Sequence, residues 1–374
     1  MVDPRIEKLA DVLVNYSTRV KPGDVVRITG APITRPLAAA LHREVVRAGG
    51  YPRVALLPEE CDEILLTEGS DELLAFEDPI RQFEVENIDV SIGIWGGDNT
   101  KALSGVDPAR QAIVSQARKK YFDTFLGRFA AGELRWTGTQ YPCESAAQDA
   151  EMSLRQYADF VFRAGLLHYD DPAAAWQQVS ERQQRVVDFL NTKKEIRFVT
   201  PQGTDLTLAV DGRTWINCDG CENFPDGEVF TGPIETATEG VVCYSFPAVH
   251  GGREAHGIKL TFKEGRVVDA SAEKGEEFLL TMLDQDEGAR VLGEIAIGTN
   301  YSITQYTKNT LFDEKIGGTF HGAVGSAYPE SGGTNTSGLH WDMVCDLRHG
   351  GQIFADGELI SENGRFLDES WPQP

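Results

Sequence analysis

The apolar periodicity of the chain changes at Asn191-Thr192-Lys193-Lys194, and no other feature constrains the fold as much. Ahead of that polar patch, helical spacing alternates with short apolar runs. Ile6, Leu9, Leu13 and Tyr16 follow Pro4, a residue suited to a first helical turn, and Pro22-Gly23 ends the segment. Residues 24–30 read as a strand. Pro36 opens a helix with Leu37, Leu41, Val45 and Ala48 on one face, closed by Gly49-Gly50. Strands are predicted again at 53–58 and 88–95, with helical patterns over 108–120, 152–167 and 176–190. Such alternation predicts βαβ units and a mainly parallel sheet. Beyond the patch the period falls to two. Residues 195–200, the turn Pro201-Gln202-Gly203 and residues 205–210 read as a hairpin. Further strands are expected at 240–246, 258–263, 266–270 and 343–347, and one helix from 276 to 283 and beyond. With 374 residues, 41% of them hydrophobic, the chain can bury two cores. The expected division is an α/β N-terminal domain over 1–191 and a β-rich α+β domain over 192–374.

The second half collects the side chains that hold divalent metals. Glu228 follows the turn Pro225-Asp226-Gly227, and Glu294 lies between Leu292 and Ile295, where an acid needs a metal, an arginine or a strong donor to offset desolvation. Glu314, His321 and Tyr328 come next, and then His340-Trp341-Asp342. On a strand, residues i and i+2 share a face, so His340 and Asp342 point one way and Trp341 the other. Taken singly, each residue has an ordinary structural explanation. As a set they indicate a metal site on strands and strand-end turns.

Charge narrows the partners. Asp and Glu number 58 against 35 Lys and Arg, a formal charge of −23, and the acids are spread through both halves. Such a surface repels phosphate backbones and anionic lipid heads, so neither nucleic acid nor membrane is an expected partner. It also reads as a halophile signature, because molar salt screens charge beyond roughly 3 Å; an ordinary acidic cytosolic protein is the alternative. The sequence lacks the basic and apolar blocks of a secretory signal and any apolar run of membrane-spanning length, which predicts a cytoplasmic protein. The six cysteines lie mostly far apart, against a disulfide framework. Cys218-Asp219-Gly220-Cys221 lacks the second ligand pair of a zinc knuckle and reads as buried thiols near a turn. Gly96-Gly97 follows a strand but matches no phosphate-loop pattern, so it reads as a turn.

Several motifs together resemble the M29 family of metallopeptidases, the thermophilic aminopeptidases. They are Gly227-Glu228-Val229-Phe230-Thr231-Gly232-Pro233, Glu294, Leu311-Phe312-Asp313-Glu314, Gly318-Thr319-Phe320-His321, Gly325-Ser326-Ala327-Tyr328-Pro329 and His340-Trp341-Asp342-Met343-Val344. The likeness extends to residues 152–162 and the opening helix, nearly the whole chain. It implies an α/β domain followed by a β-rich domain holding two divalent ions (zinc, cobalt or manganese), a homodimer, and peptides with a free N-terminus as substrates. It also implies that Glu228, Glu294, His321, Tyr328, His340 and Asp342 form the metal shell, with Glu294 or Glu228 bridging and Glu314 in support. Glu314 lies farther from His321, and the stretch from Tyr328 to His340 is shorter, than the family pattern leads one to expect.

Two ions sharing a water lower its pKa and polarise a carbonyl. Glu294 is the expected base and Tyr328 an expected donor to the oxyanion. Two other readings use the same residues differently. His321, His340 and Asp342 would suffice for a mononuclear iron ring-cleaving dioxygenase, and a non-enzymatic binding module would use the βαβ half alone.

Overall fold

The computed structural model describes residues 3–374. They form two compact units, one of residues 3–173 with Gly220–Pro225 and the other of Ala174–Asp219 with Asp226–Pro374.

The first unit is built on a five-stranded parallel sheet in the order Tyr51–Leu56, Val25–Gly30, Val90–Trp95, Arg135–Gln140, Asn223–Phe224. Its central strands carry Val26, Ile28, Val90, Ile92 and Ile94 into the core. The helix Arg35–Arg47 covers them with Leu37, Leu41 and Val45, and the chain then turns through Gly49 at φ +84°, a left-handed conformation that glycine adopts without strain. The helical expectation over 108–120 resolves into two helices, Pro108–Ala117 and Lys119–Ala130. The strand Arg135–Gln140 had no periodic signal strong enough to be expected.

The second unit is a β-sandwich. One sheet has eight strands in the order Arg266–Ser271, Lys259–Lys263, Thr238–Cys243, Asp205–Ala209, Glu195–Val199, Gln352–Ala355, Glu358–Glu362, Arg365–Phe366. The expected hairpin is present as the antiparallel pair Glu195–Val199 and Asp205–Ala209. The other sheet is antiparallel, in the order His340–Asp346, Thr319–Gly325, Leu292–Gly298, Glu228–Thr231, Ile216–Cys218. Alternation sends Val229, Ile295, Ile297, Phe320, Val324, Trp341, Met343 and Cys345 between the sheets, against Ile196, Phe198, Leu206, Leu208, Val242 and Leu260. The rings of Phe198 and Phe320 stack across this core with centroids 4.1 Å apart.

The helix Pro172–Leu190 departs from the expected division at 191/192. Val186, Val187 and Leu190 enter the sandwich core, and the Gln183 side chain donates to the Cys218 and Glu228 carbonyls, so the helix packs with the second unit. Its amphipathic stripe is visible in the sequence; which core that stripe faces is not. No helix among the described residues is long and apolar enough to cross a membrane.

Candidate metal centre

Register places the acids and histidines on the face of the five-stranded sheet that points away from the sandwich core. Glu294 pairs with Ala323, which pairs with Asp342, so the two acids flank a methyl group across three strands. One step along, Ala296 lies between Phe230 and His321; one step further, Gly298 opposes Glu228. Small residues at 296, 298 and 323 leave the room into which the larger polar side chains lean. Every position of the strands Leu292–Gly298 and Thr319–Gly325 is buried, including Glu294 at 4% exposure and His321 at 1%. Glu228 is 5% exposed.

The side chains form a chain of shared contacts. His321 Nε2 lies 3.4 Å from Glu294 Oε1 and 3.7 Å from Asp342 Oδ1, and His340 Nε2 lies 3.5 Å from both Glu294 Oε2 and Asp342 Oδ1. His321 Nδ1 is 3.7 Å from Glu228 Oε2. Ligands about 2.1 Å from a common tetrahedral ion would stand about 3.4 Å apart, so this spacing fits an ion seated between them. Three groupings overlap: Glu228, Glu294 and His321; Glu294, His340 and Asp342; and Glu314, His321 and Asp342, each with its ligand atoms within 4.8 Å of one another. Two buried oxygens here, Glu228 Oε2 and Asp342 Oδ1, have no hydrogen-bond partner. A buried carboxylate oxygen left unpaired is costly, and a cation is the natural partner for it.

Backbone carbonyls orient both imidazoles. His321 Nδ1 donates to the Glu314 carbonyl at 3.1 Å, and His340 Nδ1 donates to the Ser326 carbonyl at 2.8 Å. Each bond leaves Nε2 turned towards the acids, where loss of its proton would free a lone pair for an ion; such an outer contact is the one that metal-bound histidines ordinarily make.

Electrostatics in the metal-free protein reflect the crowding. Burial pushes the Glu228, Glu294 and Glu314 carboxyls upward, opposed by Lys315 at Glu228 and Glu314 and by the His321 hydrogen bond at Glu294. Burial disfavours charge on His321 too, but the Glu294 hydrogen bond and the Glu228 charge override it and lift the imidazolium to about 10. His340 likewise reaches about 10, through Asp342 and Glu294. Asp342 moves the other way: despite its burial, His340 and then His321 hold it well below the usual carboxylate range. Protons on the two histidines are thus the counter-charge that a divalent ion would replace.

The structure brings Glu228, Glu294, Glu314, His321, His340 and Asp342 together. Tyr328 stands beside them: its ring, 44% exposed, meets the rings of Phe230 at 5.3 Å and His340 at 5.4 Å, just before the short 3-10 turn Pro329–Ser331. Desolvation and the Glu294 charge push its phenol upward, so the hydroxyl keeps its proton. Sequence reasoning missed three neighbours. Cys218 groups with Asp226 and Glu228 rather than standing apart as a turn thiol. Asp226 is 1% exposed and Lys315 is fully buried, its ammonium against Glu314, 3.4 Å from Glu228 Oε1 and 3.9 Å from Asp226 Oδ1. The available signal was Asp313-Glu314-Lys315 set between Leu311-Phe312 and Ile316: charged residues inside an apolar segment need one another if they are buried.

Comparison with known proteins gives a consistent picture. The family model described as thermophilic metalloprotease (M29) matches residues 2–366. Aminopeptidase 2 of Geobacillus stearothermophilus is 28% identical, over 98% of either chain. Aminopeptidase T of Thermus thermophilus is 30% identical over 87% of this chain and 85% of its own. The structure of wild-type AmpT from Thermus thermophilus superposes with a TM-score of 0.86 over 98% of this chain and 99% of that one, at 26% identity. A dihydroxypyridine dioxygenase from Pseudomonas putida shares the fold, at a TM-score of 0.64 and 14% identity over 99% of both chains.

Proposed function

The chain belongs to the M29 family of thermophilic metalloproteases and is a metallo-aminopeptidase, and from that premise we propose that it works with two divalent ions on peptides that have a free N-terminus. One observation carries the dinuclear reading: Glu294 belongs to two ligand groups at once, with Oε1 towards His321 and Oε2 towards His340. A carboxylate that turns each oxygen to a different imidazole is shaped as a shared ligand. Charge supports the same count. Asp226, Glu228, Glu294, Glu314 and Asp342 supply five negative charges and Lys315 one positive charge, so two divalent ions neutralise the cluster while one leaves two charges unbalanced. The mononuclear iron dioxygenase reading, though its fold is shared, leaves Glu228 Oε2 without a partner.

The residues divide the work as follows. Glu228, Glu294, His321, His340 and Asp342 would hold the ions, which supply Lewis acidity towards the scissile carbonyl and a water of lowered pKa. Glu294 was the expected base from sequence, but with each oxygen directed at a ligand position its basicity would be lowered by the ions it holds. Glu314, anchored by Lys315 through one oxygen and grouped with His321 and Asp342, is better suited to take the proton from the attacking water and return it to the leaving amine. Tyr328, protonated at neutral pH and standing over His340, would donate its hydroxyl proton to the developing oxyanion.

The test is release of the N-terminal residue from a leucine peptide by metal-stripped protein given cobalt, zinc or manganese, with the N-acetylated peptide as control. Metal-dependent cleavage of the free-amine peptide alone, with two equivalents bound, is expected. One equivalent of iron and ring cleavage of a dihydroxy aromatic would replace this reading. The excess of acids supports a salt-adapted cytoplasmic protein; an unchanged circular dichroism spectrum after dialysis into low salt would remove that part. The family resemblance supports a homodimer, which a light-scattering mass would test.

A further inference from the structure

Lys315 is a buried ammonium whose part in the proposed reaction, anchoring Glu314, accounts for only one of its three acidic contacts. A lysine is almost never fully buried unless paired, and this one is held by three acids: Glu314, Glu228 at 3.4 Å and Asp226 at 3.9 Å. Its position splits the Glu228 carboxylate into two unlike oxygens. Oε1 faces Lys315, whereas Oε2 faces His321 Nδ1 at 3.7 Å and has no hydrogen-bond partner. A free carboxylate could turn either edge to a cation, or both. Glu228 is restricted to one.

The backbone fixes both ends of this contact. Lys315 follows the single helical turn Thr310–Asp313, whose Asp313 is tied down by accepting from the Thr307 amide and hydroxyl. The Lys315 carbonyl accepts from the Asn300 backbone amide, and the Asn300 side chain donates to the Asp226 carbonyl, so the lysine and the turn carrying Glu228 are linked through Asn300. Gly227, between Asp226 and Glu228, has φ +122°, and a side chain there would run into Asn300.

We propose that Lys315 is a positioning residue for the metal centre: by engaging Glu228 Oε1 it presents Oε2 as a one-oxygen ligand, and so sets the affinity of the Glu228–Glu294–His321 position. The Glu294–His340–Asp342 position has no direct contact with Lys315 and feels it only through space, so it is expected to change much less. The inference rests on the two-ion reading above. Its sign is opposite to simple electrostatics, because removing a neighbouring positive charge would by Coulomb's law tighten cation binding.

The experiment titrates metal-stripped protein with cobalt(II), reading the visible absorption of the bound ion and the stoichiometry, for the wild type, Lys315→Met and Asp226→Asn. Loss of an outer contact to a metal ligand costs roughly 10–100-fold in affinity. Lys315→Met is expected to weaken one of two equivalents by about that factor and to alter its absorption, leaving the other equivalent in place. Asp226→Asn, which loosens the lysine without removing it, is expected to shift the same equivalent less. Two equivalents of unchanged or increased affinity in Lys315→Met would overturn the proposal. Should that variant fail to fold, as judged by circular dichroism, an unshifted titration of Asp226→Asn would do the same. A single equivalent in the wild type would overturn the two-ion reading instead, and leave the role of Lys315 to be read from that one ion.

Discussion

On the five-stranded sheet of the second unit, chain neighbours point to opposite faces with opposite chemistry. Phe320, Trp341 and Ile295 face the sandwich core; His321, Asp342 and Glu294, each one residue away, face the other side. Burial does not distinguish them on the two central strands, both faces of which are closed to water, and Asp342 on the outer strand is only partly exposed. The difference lies in how the groups are satisfied. Apolar groups on the core face are complete once packed. The polar face ends in Glu228 Oε2 and Asp342 Oδ1, buried and without hydrogen-bond partners, and is complete only when something positive joins it. A two-faced buried sheet with one unfinished face therefore points to a ligand, and the acids and imidazoles point to a metal.

The sharpest way to break this comparison is to damage each face separately. Glu294→Gln should abolish binding of both ions and lower kcat/KM by at least about 10³-fold, because the metal contribution is worth several kcal/mol; circular dichroism should be unchanged, since the packed face is intact. Phe320→Ala should do the reverse. It removes the ring stacked on Phe198 and should lower stability by about 3–5 kcal/mol in chemical denaturation, while the folded fraction still binds two equivalents. If Phe320→Ala lost metal as readily as Glu294→Gln, the two faces would not be separable.

A smaller effect sharpens the chemical side. Tyr328→Phe keeps the ring against Phe230 and His340 and removes only the hydroxyl. Loss of one oxyanion donor costs about 10²–10³-fold in kcat, with KM and metal content little changed; reduced metal content would make Tyr328 a ligand instead. Glu314→Gln should lower kcat with both ions retained, which separates it from Glu294→Gln and tests which acid carries the proton.

Legibility in the sequence followed the same division. His340 and Asp342 could be placed on one face from spacing alone, and Glu294 was conspicuous as an acid between Leu292 and Ile295. The hairpin at 195–210 and three of the five parallel strands of the first unit were legible because their periods are local. Lys315 and Asp226 were not, because nothing local tells that residue 315 lies against residues 226 and 228; that depends on how the 299–318 connection folds back through Asn300. The helix Pro172–Leu190 was legible as a helix and misassigned to a domain for the same reason. Long-range pairing, not residue chemistry, was the missing information.

The last difference between the faces is in their response to pH, and it is expected to be the smallest. The core face carries nothing that titrates near neutrality. On the other face, His321 and His340 have folded pKa values of about 10 in the metal-free protein against an ordinary 6.5. A group with a raised folded pKa adds stability in full below its unfolded value and loses it as pH rises through the folded one. The buried Glu228, Glu294 and Glu314 are also raised, so ionising them on the way up costs stability in the same direction. Asp342, held low, opposes this only in acid. Metal-stripped protein should therefore melt at progressively lower temperature from pH 6 towards pH 10. Protein loaded with zinc has exchanged those protons for the ions, and its melting temperature should be flatter over the same range. Parallel curves for the stripped and loaded forms would show that the histidine protons are not what the metal displaces.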